Sequence, residues 1–181
     1  VCNQDSMESK FSILKDPRSD TSDEALKAQF DFLVETGAKF TETSEVIKKI
    51  REARKQLDFL RYKLGEDNEN GENGDNKELI TFSDSVSSSL SRVEEALYQT
   101  KNQSRQDPLN YPIKLNNKLG HLMTLTSIGD YQPTEQALTF KDEVFSEIDK
   151  AIAEFDKIRG QMIPELNRMV KEADIEAIST D

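Results

Sequence analysis

"SDEALKAQFDFLVETGAKFTETSEVIKKIREARKQLDFLRYKL", Ser22 to Leu64, decides the fold class of this chain. Leu26, Phe30, Leu33, Gly37, Phe40, Ser44 and Ile47, then Ile50, Leu57 and Leu64, follow a three-four rhythm. On a helix that spacing makes one apolar stripe, with small residues at some inner positions. Thr21 or Ser22 can cap the start, and Asp23 and Glu24 suit the positive end of the helix dipole. A run of about 40 residues extends roughly 60 Å at ~1.5 Å per residue, enough to be the spine of the domain. Gly37 costs up to ~1 kcal/mol relative to alanine, which predicts a close helix approach or a mild bend there.

The same rhythm returns three times. From Lys77 to Lys101 the stripe is Leu79, Phe82, Val86, Leu90, Val93 and Leu97, behind a serine-rich outer face, "SDSVSSSLS". Serine is a weak helix former, so this segment needs packing to hold it. After Pro108 and Pro112 a third helix is predicted from about Ile113 to Ser127, carrying Leu115, Leu119, Leu122 and Leu125. "GDYQPTE" turns the chain, with Thr134 as the next N-cap. The last long helix is the most apolar. Val144, Ile148, Ala151, Phe155, Ile158 and Met162 form its stripe, and Leu138, Phe145 and Ile152 widen it. Pro164 lacks a backbone donor and must kink or end that helix. "PELNRMVKEADIEAI" then reads as a short terminal helix with proline in its first turn. The expected fold is all-α: an antiparallel up-down bundle of about four helices over residues 21–181, preceded by an extended arm over residues 1–20.

Composition agrees with elongated helices. Of 181 residues, 35% are hydrophobic and 33% charged, and tryptophan is absent. The net charge of −11 would repel phosphate backbones and anionic lipid, so no nucleic acid is expected as a partner. The densest basic run, Lys48, Lys49, Arg51, Arg54 and Lys55, is flanked by Glu42, Glu45, Glu52 and Asp58 and reads as a solvated face. No stretch approaches the ~20 apolar residues of a membrane span, so membrane insertion is not expected.

Chemistry-bearing motifs are scarce. Cys2 is the single cysteine and makes neither an internal disulfide nor a metal site alone. His121 is the single histidine, and Lys118 stands where the Glu-x-x-His pair of a di-metal bundle would place glutamate. "GEDNENGENGDN", Gly65 to Asn76, imitates the first half of an EF-hand loop with Glu66, Asn68, Asn70 and Gly71. Lys77 falls where the closing glutamate is required, so a flexible, solvated connection is expected instead. There is no G-x-S-x-G, P-loop or G-x-G-x-x-G. Acidic pairs suited to glycoside hydrolysis abound, but nearly all lie on outward helix positions. The chain is expected to be non-catalytic, with no catalytic residue, cofactor or metal.

Ahead of the spine stands "FSILKDPRSD", Phe11 to Asp20. Phe11, Ile13 and Leu14 suit a half-buried strand, and Pro17 breaks it. A strand needs a neighbour for its backbone groups, and everything after it is helical. The alternative is an arm that lies on the bundle without pairing.

Several segments together resemble the region that follows the β-propeller in bacterial BNR-repeat, sortilin-like proteins commonly labelled glycosyl hydrolases. "FSILKDPRSDTSDEALKAQFDFL" resembles the junction after the propeller and its β-rich appendage, and "KFTETSEVIKKIREARKQL" the helix that continues from it. "YPIKLNNKLGHLMTLTSIGDYQPTEQA" and "PELNRMVKEADIEAI" resemble the C-terminal helical tail. The matching positions are Asp16, Pro17 and Arg18 at the junction, and Gln29, Phe30 and Asp31 in the first helix. Leu115, Asn116, Asn117, Lys118 and Leu119 match the third helix, Pro133 and Thr134 the turn, and Leu166 and Asn167 the terminal helix.

The resemblance implies a C-terminal accessory domain of a secreted or periplasmic protein. Its arm would be the last strand of a β-domain outside this chain, with Phe11, Ile13, Leu14, Asp16, Pro17 and Arg18 as the interdomain contact. Any hydrolase activity would belong to the propeller. The competing expectation is an independent oligomerisation or protein-binding bundle, possible as a homodimer through the long first helix.

Overall fold

The computed structural model describes residues 7–64 and 76–175. Cys2, the acidic stretch 65–75 and the last residues of the terminal segment, 176–181, lie outside them. The elements are α1 (Asp23–Lys63), α2 (Lys77–Leu97), a single 3-10 turn (Asp107–Leu109), α3 (Leu115–Thr126), α4 (Glu135–Lys157), a π turn (Ile158–Met162) and α5 (Ile163–Glu172). No strand occurs among the described residues. The fold is an all-α helical bundle.

Local chemistry sets the helix ends. The Ser22 hydroxyl accepts from the Ala25 N–H at the start of α1, and Thr134 does the same from Ala137 at the start of α4. α2 stops at Leu97, short of the expected Lys101, because Tyr98 turns extended and Gln99 is tied down. The Gln99 amide donates to the Pro112 carbonyl at 2.8 Å, and its oxygen accepts from the Lys101 N–H. That tie closes the connection 98–114 into a loop that starts α3 close to where α2 ended.

Pro164 interrupts the last rod through geometry. Its ring would press on the carbonyl four residues back, at Gly160, and it offers no N–H. The chain answers with the π turn, where the Ile163 N–H bonds the Ile158 carbonyl five residues back. α5 follows with Pro164 in its first turn, as the sequence predicts.

Side-chain pairings give the topology. Arg61 meets Asp84, while Arg51 and Arg54 meet Glu94, so α2 runs antiparallel along the C-terminal half of α1. Gln29 reaches the Thr126 carbonyl, and Gly37 and Gly120 face Met123 and Phe40, so α3 runs antiparallel along the N-terminal half. α2 and α3 therefore share one column and one direction. α4 lies parallel to α1, through Glu35 with Lys141 and Lys39 with Asp149, and continues through the π turn into α5, which packs on α2. Four rods make three columns, and α1 is the spine.

The core runs the length of the columns. Ile50, Val86, Leu90, Leu97, Leu119, Ile148 and Ile158 are lost to water. Most stripe positions in α2, α3 and α4 are buried as expected, but Leu125 and Leu138 stay about half exposed, at 56% and 43%. The N-terminal half of α1 departs further from the stripe. Phe32, Thr36 and Thr43 are buried, whereas Phe30 is 64% exposed. Thr36 and Thr43 occupy core positions because their hydroxyls donate back to the Phe32 and Lys39 carbonyls, at 2.7 and 2.8 Å. In α2 the serine face is not wholly outward, since Ser83 and Ser89 are buried.

Two glycines differ in what they require. At Gly37 a Cβ would sit 3.5 Å from the Met123 methyl, ordinary contact, so the approach of α3 leaves room for alanine. Gly129, in the turn between α3 and α4, has φ +75°, and a Cβ there would stand 2.5 Å from the Tyr131 ring. Tyr131 can swing aside, but the left-handed backbone costs an L-residue about 1–2 kcal/mol. Gly129→Ala should lower stability by that amount in urea denaturation, while Gly37→Ala should be neutral or stabilising by up to ~1 kcal/mol. Equal effects of the two would contradict these backbone assignments.

Candidate functional site

The candidate site is the arm and its root, and the structure brings only part of it together. Phe11, Ile13 and Leu14 belong to no helix or strand and are 83–88% exposed. They form no ladder because no second strand among the described residues supplies donors and acceptors. Nor do these three side chains rest on the bundle, since side chains packed on a surface would not keep most of their area in water.

Asp16, Pro17 and Arg18 form one compact hook. The Ser19 N–H donates to the Asp16 carbonyl at 3.0 Å, closing a turn with aspartate first and proline second, a favoured pairing for those positions. The Arg18 guanidinium grips the Asp16 carboxylate with two bonds of 3.0 and 2.8 Å, and the Arg18 N–H adds a third of 2.9 Å. These bonds, the side-chain pair first, hold the Asp16 pKa below its ordinary 3.8.

A depressed carboxylate stabilises above its unfolded pKa and loses that contribution as pH falls through the folded value. The hook should therefore contribute fully above pH 3.8 and be lost below it, as pH falls through the lowered Asp16 value. In an NMR titration the Asp16 carboxyl midpoint should fall below 3.8, and Arg18→Ala should return it to the ordinary range. A native midpoint at 3.8 or higher would contradict the hook.

The root of the arm is clasped to the turn between α3 and α4. Lys15 Nζ donates to the Thr21 carbonyl, and Thr21 Oγ1 donates to the Asp130 carbonyl. Gln29 Nε2 donates to both the Thr126 and Gly129 carbonyls, at 2.7 and 2.8 Å. Gln29 thus takes up the last carbonyl of α3, which has no helical donor, and one in the turn that follows. The clasp fixes where the arm leaves the bundle.

Beside that point lies an open apolar groove of about 410 Å³, lined by Leu122, Leu125, Ile128, Tyr131, Ala137 and Phe140 among others. No carboxylate or basic side chain lines it. His121 is exposed on another shallow surface, beside Phe40, Asn117 and Thr124. Among the described residues no three His, Cys, Asp or Glu side chains gather as a metal-holding group, and no helix is long and apolar enough to cross a membrane.

Two charged clusters escaped the sequence reading. Glu94 is buried and accepts from Arg51 Nε at 2.6 Å and Arg54 Nη1 at 2.8 Å, and Arg51 also stacks 4.7 Å from the Tyr98 ring centroid. Two members of the supposedly solvated basic run thus join α1 to α2. The signal was present: Glu94 lies four residues after Leu90 and three before Leu97, an acid on the apolar face. The second cluster joins α1 to α4. Buried Lys141 bonds Glu35 at 2.6 Å and sits over the Phe32 and Phe145 rings. Lys39 bridges Glu42 and Asp149. Burial opposes its charge, yet the bonds to Asp149 and Glu42 together hold its pKa above the ordinary value.

No protein-family model matches the chain, and neither a curated protein nor a solved structure matches it.

Proposed function

We propose that this chain is the non-catalytic C-terminal helical accessory domain of a larger secreted or periplasmic bacterial protein of the BNR-repeat, sortilin-like type. It packs on a β-domain or propeller of the same polypeptide and presents a rigid helical surface. The observation that carries the proposal is the arm: Phe11, Ile13 and Leu14 project into water from a root held by the Asp16–Arg18 hook and the Thr21–Asp130 bond. Three large apolar side chains held off their own bundle are suited to a partner. The resemblance of the hook and first helix to a propeller-to-helix junction supplies the partner's kind. Outward acids occupied in surface pairs, such as Glu45 with Lys48 and Glu165 with Arg168, support a structural role. Adding the preceding β-domain back to the chain should slow hydrogen exchange at the Phe11–Leu14 amides. Rapid exchange that does not change would count against docking through the arm.

A second reading, a bundle that pairs with a copy of itself, draws on Phe30 and Val34, exposed one turn apart on α1. Sedimentation of the chain separates the two, since a stable dimer at low micromolar concentration favours self-association. A hydrolytic role would require turnover of a glycan by this chain alone.

A further inference from the structure

We draw no further inference here: the strongest candidate, the apolar groove between the end of α3 and the start of α4 beside the root of the arm, carries nothing because nothing in the structure shows what covers it.

Discussion

Phe32→Ala should destabilise the bundle by about 3–5 kcal/mol, whereas Phe30→Ala, two residues away, should change stability by less than about 0.5 kcal/mol. Phe32 is 3% exposed, so truncating it leaves a hole that the columns cannot fully close. It also removes the ring beneath Lys141, a buried ammonium 5.6 Å from the ring centroid. Phe30 keeps most of its surface in water and loses little on truncation. Urea midpoints of the two variants give the comparison directly. Phe32→Leu, which keeps most of the volume, should recover most of the loss. Should Phe30→Ala prove the more damaging change, the assignment of the buried face of α1 would be wrong.

The second large effect is expected where α1 meets α2. The Glu94 side chain retains 4% of its accessible surface, while Arg51 and Arg54 retain 47% and 39%. Removing both arginines by Arg51→Ala and Arg54→Ala leaves a buried carboxylate without a counter-charge. Such losses cost about 3–5 kcal/mol, and the half-exposed setting places this one at the lower end. The reverse change, Glu94→Leu, returns two arginines to water they already touch and places an apolar side chain beside Leu90 and Leu97, so its cost should be smaller. Adding Glu94→Leu to the double arginine variant should then restore most of the lost stability. A double arginine variant as stable as the parent would show that water, not the guanidinium pair, satisfies Glu94.

The helices were legible because each rests on local periodicity and local caps. Ser22, Thr134 and Pro164 act on atoms within five residues of themselves, so their roles follow from reading along the chain. The Asp16–Arg18 hook is similarly short-range, and the aspartate–proline pair marks it as a turn. The clasp is different in kind. Thr21 and Gln29 meet Asp130, Thr126 and Gly129 across some hundred residues of chain, and no spacing along the sequence encodes that meeting.

The buried face of α1 shows why periodicity stops short. A stripe of Leu26, Phe30, Leu33 and Gly37 is a sound apolar face for an isolated helix. α4, however, packs on the side that carries Phe32, Glu35, Thr36 and Lys39, through Lys141 and Asp149. Threonine can occupy that seam because its hydroxyl bonds its own helix. A hydropathy count discounts it for the same hydroxyl. Glu94 was hidden in the same way, as a charge on the apolar side whose partners lie on another helix.

The order of apolar and polar residues by itself determined four rods, the Ser22 and Thr134 caps, the proline interruption and the largely aliphatic core, because hydrogen bonds within a helix and burial of a stripe are set by near neighbours. Only the tertiary structure decided that α2 and α3 share one column, that Phe32 rather than Phe30 enters the core, and that the arm leaves the bundle bare beside the turn after α3. Those outcomes depend on which surfaces meet after the chain has folded back on itself, and contacts across that distance leave no period in the sequence.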